Sequence, residues 1–483
     1  PQVNVILFMS FAFGGVFACF FSHFHQLMIT DSGKCHKGVR TLPKITFIGA
    51  GSAVFTRNLV GDLMTFPALD GSDICLMDID EKRLKLVDAL VRKMIHQQNS
   101  RMTVTSTTDR LEALRGADYV IVTIQVGGLE AYELDIEIPR KYGVEQCVGD
   151  TLGPGGVFRG LRHLAVISDL CRELEEVSPD AVILQYTNPM VIICRAIQAS
   201  SSIRTVGLCH SVQGTAMELA HMLGVPYEEI TYWVAGINHM AWFLRLERGG
   251  EDLYPLLREK MKDPAVYGME PTRFELFKHF GYFVTESSGH ASEYFPYFRK
   301  RKDVLDGLLA KFTDPKNHWY GFGKTGGYLE HCKREVEHYF RWFDEQLAED
   351  KRIDICRSRE YGAFIINAME TNEPIRINGN VANHGSIANL PYDACVEVPC
   401  LIDRTGIHPC HVGALPEQLA ALNRTNLNVQ ELAAQAHLQR DKSLVAQAIK
   451  LDPLTSAVCS LDEIDAMVAE MFEAQAEWLP QFR

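Results

Sequence analysis

The segment KITFIGAGSAVFTRNLVGDLM, which begins at Lys44, constrains the fold more than any other stretch. Ile45, Phe47 and Ile48 form a short apolar strand, and Gly49 and Gly51 follow at once. Val54, Leu59, Val60 and Leu63 then recur at helical spacing. A strand that passes through a glycine turn into a helix opens a βαβ unit, and the pattern repeats. ICLMDID ends a second strand at Asp78, and Lys82 to Ile95 reads as a helix. MTVTSTTD, YVIVTI (119–124), AVILQYTNP (181–189) and TVGLC, which ends at Cys209, supply four further strands. This alternation predicts the α/β class and a Rossmann-like doubly wound parallel sheet. Ligands of such sheets gather at the carboxyl ends of the strands. One rim is therefore expected to carry the Gly49 turn, Asp78, Gln125, Asn188 and Cys209.

Beyond about residue 240 the pattern changes. Helical stretches at 328–350 and 417–438 flank a β-rich piece, EPIRINGNVANHGSIANLPYDACVEVPCLID. A nucleotide-binding domain over 44–230 and a second, mixed α+β lobe over 231–483 are the expected organisation. A chain of 483 residues exceeds one ordinary core, which accommodates both. The net charge of −13, with no basic stripe, argues against nucleic-acid binding. Thirteen cysteines, an odd number without disulfide-like spacing, fit a reduced, cytoplasmic protein. Residues 5–21, VILFMSFAFGGVFACFF, are a nearly unbroken apolar run, but the first basic residue is Lys34 and none precedes the run. Without a basic flank, segment 1–43 is expected to be a leader or an extension foreign to the folded protein, with a membrane anchor at 5–21 as the alternative.

Gly49-Ala50-Gly51 permits a tight turn and a close approach of backbone to a pyrophosphate, with Ser52 beside it at the start of the helix. Asp78 can accept hydrogen bonds from both ribose hydroxyls, which selects NAD. The third glycine of the usual fingerprint is absent, with Val54 or Phe55 near its place. The weight of the motif therefore comes from its strand–turn–helix setting and from Asp78.

GLCHSVQGT (207–215) places a thiol directly before an imidazole. Cys209 could be a buried small hydrophobe, a nucleophile or a metal ligand. A thiolate and an imidazole suit a borderline divalent cation. His239 in AGINHMAWF is the candidate partner, although a lone histidine in an apolar segment is more often an ordinary core residue. Two protein ligands leave open positions, as a substrate-chelating cation requires. His331, Glu335 and His338 share a helix face, but Lys333, Arg334 and Glu337 mark that face as solvated. GDTLGPGGVFRG (149–160) is a glycine-rich loop, with Asp150 at its start, suited to a sugar hydroxyl or a phosphate.

KITFIGAGS, LMDID, DTLGPGG, YTNPM, GLCHSVQGT, GINHMAWF, GYFVTESSGH and NLPYDACVEVPCLID occur in that order. Together they make the chain from Lys44 onward resemble glycoside hydrolase family 4, most closely its members that act on α-galactosides. The resemblance implies NAD and a divalent cation, commonly Mn2+, as cofactors. It implies hydrolysis by C3 oxidation, C2 deprotonation, elimination, water addition and re-reduction, outside the two-carboxylate scheme of most glycosidases. Carried over, Cys209 and His239 hold the metal and His210 donates a proton to the leaving group. Asn188 and Asp150 meet the substrate, and Tyr282 removes the C2 proton. Asp150 stands where many members have Glu. The expected partners are a small glycoside and further copies of the chain in a homodimer or homotetramer. An α-glucosidase or an α-glucuronidase or galacturonidase of the same family remains an alternative. So does a lactate/malate-type NAD dehydrogenase, which shares a TNP-like segment, and so does a non-catalytic NAD-sensing protein.

Overall fold

Six parallel strands carry the first half of the chain. They are β1 (Lys44–Ile48), β2 (Asp73–Met77), β3 (Thr103–Thr107), β4 (Tyr119–Val122), β5 (Val182–Gln185) and β6 (Arg204–Gly207). A computed structural model describes residues 42–312 and 323–482; the apolar run at 5–21 lies outside the described residues. The six strands lie in the order β3-β2-β1-β4-β5-β6, the order of a dinucleotide-binding sheet. β4 and β5, YVIV and VILQ, are buried throughout, as strands covered on both faces must be. β3, TVTST, is the polar outer edge.

The helices that matter for the site are numbered here in chain order. α1 (Ala53–Met64), α2 (Glu81–Gln98), α3 (Gly128–Lys141), α4 (Gly153–Val177), α5 (Met190–Ser200) and α6 (Ser211–Leu223) cross between the strands. Their ends follow local chemistry. Asp80 starts α2 by accepting from the amides of Lys82 and Arg83 at 3.0 and 3.1 Å. Asn99, in the left-handed conformation with φ +53°, ends it.

The second half adds the hairpin β7 (Ile230–Ile237) and β8 (Met240–Arg248), then β9 (Glu251–Asp252), β10 (Ile375–Ala382), β11 (Cys395–Asp403) and β12 (Gly406–Pro409). These strands continue the same sheet as β6-β10-β11-β7-β8-β9, with β12 against β11. β10 meets β6 at Asn380–Gly207, and β11 meets β7 at Glu397–Gly236. The two expected regions, 44–230 and 231–483, thus share one sheet within the compact unit Pro43–Arg483. The sequence shows where periodicity changes. It does not show that the open edge of β6 recruits a strand from 170 residues downstream.

Helices α7 (Gly327–Leu347), α8 (Tyr361–Thr371), α9 (Glu417–Gln439) and α10 (Leu461–Ala474) complete the layers. α9 is fixed to β8 by Asn423, which accepts from Trp242 Nε1 at 3.1 Å and donates to Met240 O at 2.7 Å. On α7, Glu335 and His338 are exposed and Lys333 pairs with Glu133 at 2.9 Å, as a solvated face requires. Among the described residues, no helix is long and apolar enough to cross a membrane.

Candidate active site

The glycine turn is locked onto β2. Gly49 and Ala50 donate their amides to Met77 O at 3.0 and 2.9 Å. Gly49 has φ +87°, and a Cβ there would lie 2.7 Å from Thr123 O. A Cβ on Gly51 would lie 2.6 Å from Asp78 Oδ2. Both positions are thus too crowded for a side chain, and only glycine lets the turn form its cradle. Asp78 accepts from Gly51 N at 2.7 Å and from Asp80 N at 2.9 Å, which aims its carboxylate across the turn. Ser52 heads α1 without a side-chain cap, and Tyr339 of α7 donates to Gly51 O at 2.8 Å. The donor set and the cradle fit a dinucleotide.

Gln125 lies after β4 on the same rim. Arg159 of α4 donates to its side-chain oxygen and, at 3.0 Å, to Asn188 O, which ties the β4 and β5 loops together. Val126 is held on both sides. Its amide donates to His163 Nε2 at 3.2 Å, and Arg162 Nε donates to its carbonyl at 3.0 Å.

The second cluster is assembled from three distant stretches. Cys209 follows β6, His239 sits in the β7–β8 turn, and Glu286 ends a segment that runs beside β8. Phe243 N donates to Phe283 O at 3.0 Å and Thr285 N to Ala241 O at 2.9 Å, which brings residue 286 to the His239 turn. Cys209 Sγ lies 3.4 Å from His239 Nε2, which lies 3.5 Å from Glu286 Oε2. The three ligand atoms fall within 4.8 Å of one another. His239 and Glu286 both have left-handed backbones, φ +63° and +73°. Strain of that kind in non-glycine residues concentrates at functional sites.

Thr151 Oγ1 and the Tyr294 hydroxyl lie 3.2 and 3.0 Å from His239 Nδ1, so the ring presents Nε2 to the sulfur. Burial holds the His239 ring below the ordinary histidine range, in the neutral form that binds metals. Burial opposes charge on Glu286 too, but the His290 ring and the Ser287 amide outweigh it and hold the carboxyl well below its usual range. A thiol, a neutral imidazole and an ionised carboxylate fit a borderline divalent cation.

A polar wall adjoins this pocket. Asp150 Oδ1 lies 3.2 Å from His290 Nε2 and accepts from Thr151 Oγ1 at 2.8 Å. Asn188 Nδ2 donates to Asp150 Oδ2 at 3.3 Å, while Asn188 Oδ1 is buried without a partner. Burial works against charge on both members of the Asp150–His290 pair, yet their mutual attraction prevails. Asp150 is held below the carboxylate range, and His290, which also faces Glu286, well above the histidine range. The loop that carries Asp150 is anchored by Glu293, which accepts from the amides of Cys147, Val148 and Gly149 at 2.9, 2.5 and 3.0 Å.

His210 caps α6 on the exposed rim, with Nδ1 3.7 Å from Glu360 Oε1. Tyr282 is half-buried beside this region. Its ring packs edge-on against Tyr254, with centroids 5.9 Å apart, and Tyr294 is the tyrosine that reaches His239. Sequence reasoning missed Glu286, His290 and Tyr294. The available signal was the polar run TESSGHASEY directly after the tyrosine that drew the attention.

Fold and pockets define a dinucleotide-fold enzyme with a thiol–imidazole–carboxylate centre on its strand-end rim. Residues 44–225 match Family 4 glycosyl hydrolase, and residues 234–455 match its C-terminal domain. The chain belongs to glycosyl hydrolase family 4. The alpha-galactosidase of Bacillus subtilis (strain 168) is 43% identical over 92% of this chain and 100% of its own length. That of Rhizobium meliloti (strain 1021) is 39% identical over 91% of this chain and 89% of its own. The 6-phospho-beta glucosidase of Thermotoga maritima, solved with manganese, NAD+ and glucose-6-phosphate, has the same fold. Its TM-score is 0.72 at 23% identity, covering 90% of this chain and 99% of that one.

Proposed function

We propose that this chain hydrolyses α-galactosides, with NAD and Mn2+ or a similar divalent cation as cofactors. The observation that carries the reading is the presence of a dinucleotide cradle and a Cys209–His239–Glu286 pocket on one rim. The two relatives at 43% and 39% identity are α-galactosidases, and a solved protein of the same fold holds both cofactors. Bound NAD would supply reversible hydride removal at sugar C3, and the cation would draw charge from the neighbouring oxygens.

The chain's own residues do the rest. Cys209, His239 and Glu286 hold the cation, and Thr151 and Tyr294 orient His239. Asn188 offers its unpaired amide oxygen to a sugar hydroxyl. Asp150, kept ionised by His290, accepts a hydrogen bond from a sugar hydroxyl, and Tyr282 is the proposed acceptor of the C2 proton. His210, exposed on the rim, gives a proton to the departing aglycone. Because Cys209 must stay a thiol, a reducing, cytoplasmic setting belongs to the reading. All of the described cysteines are free. A homodimer or homotetramer also belongs to it, and sedimentation measures that directly.

The test is hydrolysis of aryl α-galactosides with Mn2+, NAD and thiol each omitted in turn. Loss of turnover on each omission is expected, without NADH accumulating. Accumulated NADH would instead establish a dehydrogenase. A substrate deuterated at C2 should react more slowly or lose its label to solvent. Retention of the label with no change in rate rules out elimination.

Two substitutions separate the proton acceptors. Tyr282→Phe should lower kcat by roughly 10²–10⁴, the usual worth of a general base, while Asp150→Asn chiefly raises KM. The reverse pattern gives the role to Asp150. Gly49→Ala should cost about 1–3 kcal/mol in urea unfolding and weaken NAD binding, because it forces a side chain into left-handed backbone against Thr123 O.

A further inference from the structure

Glu397 of β11 is fully buried, and neither of its carboxylate oxygens has a hydrogen-bond partner. Burial, with Cys209 and Glu286 close by, raises its carboxyl well above the usual range, and a donor or a positive charge is the partner that would hold it as a carboxylate. Leaving such a group unpaired in the interior is far costlier than an ordinary hydrogen bond is favourable.

Its position shows where that partner belongs. Glu397 pairs across the sheet with Gly236, three residues before His239. On its other side it pairs with Asn380, which in turn meets Gly207, two residues before Cys209. One rung of the sheet therefore spans the two strand ends that carry Cys209 and His239, with Glu397 inside it. Cys209, His239 and Glu286 are the titratable neighbours that act on its carboxyl group. Glu397 stands outside the trio whose ligand atoms lie within 4.8 Å of one another, so it backs the pocket and does not line it.

We propose that Glu397 is a positioning residue for the cation of this pocket, accepting a hydrogen bond from a water molecule coordinated to that cation. The proposal rests on the reading of Cys209 and His239 as cation ligands. Carboxylates placed behind metal ligands orient them, and their loss typically costs 10–100-fold in metal affinity. Glu397→Gln keeps the shape and removes the charge.

The test uses the full chain loaded with NAD and Mn2+ alone as probe, with free Mn2+ followed by electron paramagnetic resonance. Glu397→Gln should weaken Mn2+ binding by roughly 10–100-fold, with NAD affinity unchanged. Its metal-free thermal midpoint should stay near that of the wild type, because glutamine fills the same space and no hydrogen bond of Glu397 is lost. Equal Mn2+ affinity in variant and wild type overturns the role of Glu397 and leaves the pocket standing. A fall in the metal-free midpoint together with Mn2+ affinity also overturns it, since the residue would then be structural. A wild type that binds no Mn2+ overturns the pocket reading itself.

Discussion

Cys209→Ser is expected to abolish glycoside turnover while NAD still binds. A serine hydroxyl stays protonated near neutral pH, and a borderline cation prefers the softer thiolate. The sulfur lies 3.4 Å from His239 Nε2, so its removal leaves the imidazole and Glu286 to hold the ion. Lewis-acid stabilisation is worth several kcal/mol, and its loss should lower kcat by at least about 10³-fold. The dinucleotide cradle is built from Gly49, Gly51 and Asp78, none of which touches Cys209. NAD titration by fluorescence should therefore give the wild-type Kd. Unimpaired hydrolysis in this variant would remove the sulfur from the mechanism.

Arg162→Met is expected to be the most destabilising single substitution near the cofactor rim. Arg162 and Asp135 form a two-pronged ion pair in which both side chains are 0% exposed. Arg162 also donates to Gln475 Oε1 and to Val126 O, each at 3.0 Å. Removing one partner of such a pair strands a buried charge, at a cost of about 3–5 kcal/mol. Burial, the largest influence, already raises the Asp135 carboxyl above its usual range, and Arg162 works against that rise. Without the guanidinium the folded-state value must climb further. A folded pKa above the unfolded one means that stability returns as pH falls through it toward about 3.9. The deficit should thus be largest at neutral pH and shrink in acid, as urea unfolding at several pH values would show. Because Val126 loses its anchor, NAD affinity should fall as well; a deficit independent of pH would exclude Asp135 as its source.

The strands of the nucleotide half were legible because burial on both faces leaves uninterrupted apolar runs such as YVIV and VILQ. Gly49, Asp78 and Cys209 were legible because each stands at a strand end, where the topology gathers ligands. The long helices now numbered α7 and α9 were also visible, within a few residues, from their periodicity. The rest of the pocket depends on contacts between distant stretches. Glu286 reaches His239 only because residues 283–285 run beside β8, an arrangement with no signature in local periodicity. Tyr282 and Tyr294 lie in one aromatic-rich stretch, and the sequence does not say which ring turns toward a histidine. That the two halves share one sheet was hidden for a related reason. Apolar patterning marks a strand, but β10 carries nothing that names β6 as its neighbour.

The lateral partner of β6 also sets a timetable for synthesis. Cys209 leaves the ribosome long before Ile375–Ala382, the strand that closes its flank, and before Cys395–Asp403 beyond it. A nascent chain can wind its glycine turn early, yet the thiol next door stays open to solvent until some two hundred more residues have been made. Joining segments so far apart is slow. The interval before that seam closes is when the sulfur is most vulnerable to oxidants, so the surroundings in which the chain is made matter to this residue as much as those in which it works.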